Sequence, residues 1–290
     1  MDLMNIAFII VIIIFLIGGF KRAYELRNHP DEDDENLYTA PPPAMEQSIH
    51  PPEGYLIYEG SRLNISRTDV HDILIKHCPY YLPLLPHLKT KFLIRLMRFL
   101  EVKMFVLPKE TRFREMPVLA SAAAVQLTFG LDHFLLPSFQ SIFIHEEKYF
   151  AHDSFRVMER NAEDNVINIA WNYLLNGLKD ETDSENAGLH EMAHALWYQN
   201  TVAGRESAHK FCNHFDKVME EGKEIYQLKN KGESLFSDYA YKNLQELWAE
   251  SVELFFEKPE AFKISHPHLF DCLTELINQN PLQKENPALD

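Results

Sequence analysis

The stretch AGLHEMAHALW, Ala187–Trp197, places two histidines four residues apart, with a glutamate directly after the first. Alanine, leucine and methionine favour a helix here. His190 and His194 then lie one turn apart on the same face, where both imidazoles can bind one ion. Glu191 lies beside them and can take a proton from a water that the ion activates. The stretch therefore predicts a zinc-binding helix.

The motif by itself leaves an ordinary alternative open. In a chain of 290 residues with 14 histidines, H-E-x-x-H arises by chance in roughly six chains per hundred. The histidines could then lie on a half-buried helix, with Glu191 in solvent. A catalytic zinc site needs a third protein ligand and an open fourth position, so a third ligand decides between the two interpretations.

A second predicted helix, Asn243–Phe262, offers candidates for that ligand. Its glutamates recur at helical spacing and form one acidic stripe on one face: Glu246, Glu250, Glu253 and Glu257. Like charges one turn apart cost roughly 0.2–0.5 kcal/mol per pair, which a bound cation would relieve. A solvated face is the alternative in a chain this acidic. Periodicity does not say which glutamate binds.

Two segments together, HEMAH and ELWAESVELFFEKPEAF, resemble the Mlc titration factor A family of zinc-dependent peptidases, which are gluzincins. The resemblance extends to FLIRLMRFLEVKMF, the alanine-rich segment, SIFIHEEKYF, VINIAW and NPLQ. Carried over position by position, it implies that His190, His194 and Glu246 bind zinc and that Glu191 is the general base. It further implies that Glu253 does not bind zinc itself but orients one of the zinc ligands. Glu246 lies 52 residues after His194, which is the spacing of the family pattern.

The resemblance also singles out a tyrosine seven residues before the ligand glutamate, which is Tyr239 here. A phenol near the metal could donate a hydrogen bond to the oxyanion of a tetrahedral intermediate, and a structural tyrosine is the alternative. The chain departs from the family pattern at Trp197, at Asn172 and at His145–Glu146. These departures put the substrate preference in doubt. They remove neither a ligand nor the base.

The charge of the chain excludes one class of partner. A formal net charge of −15 offers no basic face to phosphates, so we expect no nucleic-acid binding. Three widely separated cysteines without C-x-x-C spacing indicate reduced thiols rather than disulfides or a cysteine-bound zinc.

The N-terminal residues differ from the rest of the chain. Residues 4–20 are 17 uncharged, apolar residues followed by basic ones, which favours an uncleaved transmembrane anchor over a cleaved signal peptide. The basic flank predicts that the C-terminal bulk lies on the cytoplasmic side. Residues 28–54 are acidic, contain six prolines and are typical of an extended linker. We expect a peptidase domain at 55–276 and a tail at 277–290.

The hydrophobic pattern predicts a mostly helical α+β fold with a small sheet, like the zincin-like metallopeptidase domain that the resemblance implies. Leu84–Val102 is amphipathic at helical spacing, and Glu115–Leu131 is apolar almost all round, typical of a core helix. Two segments rich in β-branched and aromatic residues, Gln140–Phe150 and Asp164–Leu175, are predicted as extended. Asp183 or Ser184 is the expected N-cap of the histidine helix.

The sequence thus predicts a membrane-anchored zinc metallopeptidase that cleaves peptide substrates, and the resemblance suggests an aminopeptidase-like specificity. The alternative is a membrane-tethered regulator that keeps the fold and binds a partner such as a transcriptional regulator, as the resemblance implies. A second E-x-x-H motif, Glu206–His209, makes a di-iron helical bundle a further alternative. Only fifteen residues separate the two copies, which is too few for two bundle helices and a turn.

Overall fold

The computed structural model describes six stretches of the chain: residues 53–109, 114–146, 166–179, 186–201, 209–227 and 235–288. The predicted anchor at 4–20 and nearly all of the linker at 28–54 lie outside them. Among the helices of the described stretches, none is both long and apolar enough to cross a membrane.

A four-stranded mixed sheet forms one part of the fold. Its strands are β1 (Tyr55–Glu59), β2 (Met104–Pro108), β3 (Ser141–His145) and β4 (Val166–Ala170), in that spatial order. β1 pairs antiparallel with β2, whereas β2, β3 and β4 run parallel. β3 and β4 each have three buried and two partly exposed residues, which is consistent with one face packed on the core.

Helices form the larger part of the described structure. They are α1 (Arg67–His77), α2 (Pro86–Val102), α3 (Glu115–Thr128), α4 (Trp171–Lys179), α5 (Ala187–Thr201), α6 (His209–Gln227), α7 (Leu244–Glu257), α8 (Pro259–Ser265) and α9 (Pro267–Ile277). Short 3₁₀ turns lie at Gly60–Arg62, Pro79–Tyr81 and Ala240–Lys242. The prediction of a mostly helical α+β fold is confirmed at this level.

Helix α3 is the centre of the core, because every residue from Met116 to Thr128 is buried. It packs against α1, α2 and α5. The last carbonyls of a buried helix need partners, and two side chains supply them. Arg95 donates to the carbonyls of Thr128 and Phe129, each at 3.0 Å. The Gln279 side-chain amide, fully buried beyond α9, donates to two further carbonyls of α3.

Two predicted elements differ from the structure. The extended prediction for Asp164–Leu175 is wrong after Ala170, where α4 begins. Trp171 and Leu174 are buried and Leu175 packs on the core at helical spacing, so periodicity prevails over the β propensity of this segment. The predicted helix Asn243–Phe262 is two helices.

The division falls at Lys258, because Pro259 has no amide hydrogen to continue α7 and instead occupies the first turn of α8. Two further predictions fall partly on residues outside the described ranges. These are the caps Asp183 and Ser184, and the part of the predicted strand beyond Glu146.

Candidate metal centre

Helix α5 presents the two histidines of the motif. The side chain of Asn186 accepts the amide of Leu189 at 3.1 Å and so caps the helix. Gly188 lets α5 approach its neighbours closely, because a Cβ there would lie 2.5 Å from Leu174 Cδ1. The rings of His190 and His194 stack edge to face with centroids 4.7 Å apart. Both imidazoles therefore point to one place, as the spacing predicts.

Helix α7 brings the third group. Asn243 caps it by accepting the amides of Gln245 and Glu246, each at 2.9 Å. Glu246 lies in the first turn, where the helix dipole favours a negative charge, and its side chain is completely buried. The indole of Trp248 donates to the carbonyl of Ala193 at 2.7 Å, which ties α7 directly to α5. The carboxylate is thus held against the histidine helix.

Three potential ligand atoms converge where the helices meet. The Nε2 atoms of His190 and His194 lie 3.1 Å apart, and Glu246 Oε2 lies 3.2 Å from the first and 3.4 Å from the second. Ligands at ~2.0–2.1 Å from a tetrahedral zinc lie roughly 3.3–3.4 Å from one another. The three atoms are therefore close to one face of a tetrahedron. Among the described residues, this is the group of three or more such side chains that could hold a metal.

Glu253 fixes the proton of one imidazole. Its Oε2 lies 2.9 Å from His190 Nδ1, and its Oε1 accepts the backbone amide of Asn186 at 2.8 Å. A carboxylate is an acceptor only, so Nδ1 of His190 must carry a hydrogen. In a neutral imidazole Nε2 then presents a lone pair toward the carboxylate oxygen of Glu246. Two acceptors that face each other need a cation or a proton between them.

A further atom at the centre supports a cation there. Within the described part of the chain, Oε1 of Glu246 is buried without a hydrogen-bond partner. Two imidazole nitrogens and a carboxylate oxygen are the donor set of many catalytic zinc sites. The residues present therefore fit a divalent metal ion.

The charges of the centre follow from the same contacts. Burial disfavours the imidazolium of His190, but the carboxylates of Glu253 and Glu246 prevail and hold its pKa well above the usual value. Burial opposes the negative charge of Glu246, yet hydrogen bonds from both histidines hold its pKa far below the usual range. Without a metal, the centre therefore retains protons that a bound cation would replace.

Glu191 lies on α5 next to His190, partly buried at the edge of the centre. Burial raises the pKa of its carboxyl group, while the neighbouring histidines oppose the shift. A carboxylate with a raised pKa binds a proton more readily, which suits a group that must accept one and give it back. The general-base role of Glu191 stays a prediction.

Residues 61–277 match the family described as "Glucose-regulated metallo-peptidase M90", which is the family of the Mlc titration factor. The match covers most of the chain and contains the three converging side chains and Glu191. The chain belongs to the M90 family. The resemblance found in the sequence is thus confirmed, and membership supports a metallopeptidase at the general level. A search of the curated proteins finds no match for this chain.

The M90 pattern also singles out Tyr239, and its ring lies beside the centre, with its centroid 6.4 Å from that of His190. Its side of the centre is open, because Tyr239 is 39% exposed. The ammonium group of Lys242 lies 3.8 Å from the centroid of the tyrosine ring. A cation over the face of an aromatic ring is attracted to it.

The residues that depart from the M90 pattern have different surroundings in the structure. Trp197 lies on the last turns of α5, partly buried, with its ring centroid 5.7 Å from that of Phe215. Asn172 is exposed at the start of α4. His145 ends β3 and is hydrogen-bonded to Asn168 on β4 at 2.7 Å. The second E-x-x-H, Glu206–His209, has no described side chains.

Two functional contacts are missed by the sequence reasoning. Asn186 caps α5 and also binds Glu253 through its backbone, and its amide group donates to Glu257 at 3.0 Å. Asn186 directly precedes the first residue of α5, and asparagine is a preferred N-cap residue, so the sequence does contain a signal for this contact. The second contact, between Glu250 and Ser237, joins segments 13 residues apart and has no local signature.

Proposed function

We propose that this M90 family member is a zinc-dependent peptidase whose ion is held by His190, His194 and Glu246. The observation that carries the proposal is the convergence of the three ligand atoms at 3.1–3.4 Å beside Glu191. Three protein ligands leave a fourth tetrahedral position open for water or substrate, as in catalytic rather than structural zinc sites. A structural site would also have no use for a general base.

Zinc bound there would supply Lewis-acid polarisation of a carbonyl group and of a water molecule. The protein's own residues then carry the proton transfers. Glu191 accepts the proton of the attacking water and returns it to the leaving amine, which the raised pKa of its carboxyl group favours. Tyr239 donates a hydrogen bond to the oxyanion. Glu253 keeps the hydrogen on Nδ1 of His190, so that Nε2 faces the ion.

The substrates in this proposal are peptides or proteins, since the M90 family is a peptidase family. Two features support access of a peptide chain to the metal centre. Tyr239 beside the centre is exposed, and the side chain of His190 is 20% exposed. Preference for a free N-terminus, as in an aminopeptidase, is a further proposal. It is tested by comparing turnover of one peptide with free and acetylated N-termini.

The experiment that tests the function combines metal analysis with one conservative substitution. The purified protein should hold one zinc, and Glu191→Gln should retain that zinc while its kcat on a peptide substrate falls by about 10²–10⁴-fold, the usual contribution of a general base. Glu246→Ala should lose the metal. Unchanged turnover in Glu191→Gln would remove the proposed base. Absence of peptide hydrolysis by the zinc-bound wild-type protein would favour a regulator that binds a partner without catalysis.

Attachment to a membrane is part of the proposal and rests on residues 4–20 and the basic residues after them. The domain would then lie on the cytoplasmic side. Single cysteines introduced into the domain should resist a membrane-impermeant thiol reagent in intact cells and react after lysis. Labelling in intact cells would overturn this orientation.

A further inference from the structure

Glu250, the second glutamate of the α7 stripe, has no counterpart in the family pattern and contacts no ligand atom of the centre. Its carboxylate accepts two hydrogen bonds from one residue. The backbone amide of Ser237 donates to Oε1 at 2.5 Å, and the Ser237 hydroxyl donates to Oε2 at 2.7 Å. Hydrogen bonds to an ionised acceptor are about twice as strong as neutral ones, and this pair uses both oxygens.

Ser237 passes this restraint on to Tyr239. Its hydroxyl oxygen accepts the backbone amide of Tyr239 at 3.2 Å while its hydrogen points to Glu250. A hydroxyl that donates to a carboxylate becomes a better acceptor, so the two bonds reinforce each other. A second anchor precedes them, because Phe236 is buried with its ring 5.1 Å from that of His266. The segment Phe236–Tyr239 is therefore held at Phe236 and at Ser237.

One helix face thus supports three parts of the site. Glu246 at the first turn of α7 supplies a ligand oxygen, and Glu253 two turns later contacts His190. Glu250 lies between them on the same face and holds the segment that carries Tyr239. Because all three side chains project from one rigid helix, the distance from the tyrosine segment to the ligands is set by α7.

We propose that Glu250 is a positioning residue which, through Ser237, keeps the Tyr239 phenol at the metal centre. This inference rests on the proposed function, since it gives Tyr239 a part in the reaction. Glu250 itself touches neither metal nor substrate. Its carboxylate acts by fixing the backbone of segment 236–239, and loss of that restraint lets the phenol leave its productive position.

The test compares Glu250→Ala and Ser237→Ala with the exposed Glu260→Ala as the matched loss of an acidic side chain. The hydrogen bonds that join Glu250, Ser237 and Tyr239 form a latch, and both variants break part of it. Both should keep their zinc and a KM within about twofold, and lose roughly three- to tenfold in kcat, as expected for a displaced catalytic group. Ser237→Thr keeps the hydroxyl and should restore wild-type kcat. Wild-type kcat in Glu250→Ala with zinc bound would overturn the proposal.

A double-mutant cycle separates positioning from a general structural effect. If Glu250 acts through the phenol, Glu250→Ala should cost less than about twofold in kcat when Tyr239→Phe is already present. Equal losses with and without the tyrosine hydroxyl would mean that Glu250 acts elsewhere, which contradicts the proposal.

Hydrogen exchange of the backbone amides tests the latch without any need for activity. Glu250→Ala should speed exchange of the Ser237 amide, which loses its acceptor. Ser237→Ala should instead speed exchange of the Tyr239 amide and leave the amide of residue 237 protected. The reverse pattern, or no change in either variant, would refute the latch. If the wild-type protein hydrolyses no peptide but this pattern is found, the proposed function fails and the contact itself remains.

Discussion

Glu253 provides the sharpest test of how the buried carboxylates set the metal affinity. It accepts hydrogen bonds from His190 Nδ1 and from the backbone amide of Asn186 at 2.9 and 2.8 Å, and its side chain is only 7% exposed. Replacement by glutamine keeps the shape but turns one acceptor into a donor. The Asn186 amide can only donate, so the glutamine oxygen must face it. The glutamine NH₂ then faces Nδ1.

Two donors cannot face each other, so His190 must move its hydrogen from Nδ1 to Nε2, where it occupies the lone pair that would bind the metal. Loss of such an orienting partner typically costs 10–100-fold in metal affinity. At about 1.4 kcal/mol per tenfold, this corresponds to ~1.4–2.7 kcal/mol. We expect Glu253→Gln to weaken zinc binding by this amount.

Competition with a chelator of known affinity measures the zinc Kd of the wild-type and variant proteins. Glu257→Gln is the matched control, because Glu257 lies one turn further along α7 and accepts from the Asn186 side chain without touching an imidazole. Its glutamine oxygen can still accept that bond, so its Kd should stay near the wild-type value. Equal weakening in both variants, or none in Glu253→Gln, would refute the tautomer argument.

Two further predictions concern the stability of the fold. Burial lowers the pKa of Lys103 to about 7, below ~10.4 for a free lysine, so between these pH values the unfolded chain holds a proton that the folded chain lacks. The free energy of unfolding should therefore rise by up to ~1.4 kcal/mol per pH unit above pH 7. Denaturant unfolding at pH 7.5 and 9 measures this rise, and Lys103→Met should remove it. Gly188→Ala should destabilise by ~1–3 kcal/mol, because its Cβ would lie 2.5 Å from Leu174 and 2.9 Å from Ala123. At Gly222 an added Cβ would lie 3.3 Å from Leu247 Cδ2. Gly222→Ala should therefore leave the stability of the protein unchanged or raise it in the same assay.

The secondary structure follows from the sequence where a single period dominates. The helices around Phe92 and around His190 are recognisable from apolar residues at three- and four-residue steps, or from strong helix formers. The segment after Ala170 was predicted as extended because aromatic residues favour strands, whereas their spacing is helical. The break at Pro259 was readable from the missing amide of proline.

The sequence by itself determined the paired imidazoles and Glu191, because four-residue spacing on a helix fixes which side chains share a face. It also placed four glutamates on one stripe of α7. The family resemblance implied roles only for Glu246 and Glu253, and the tertiary structure alone shows which atoms each of the four contacts. Glu246 meets the imidazoles, Glu253 binds one of them from behind, Glu250 holds Ser237 and Glu257 contacts Asn186. Helical period assigns a side chain to a face, while its partner depends on how α5 and α7 pack, and that packing is set by contacts far apart in the chain.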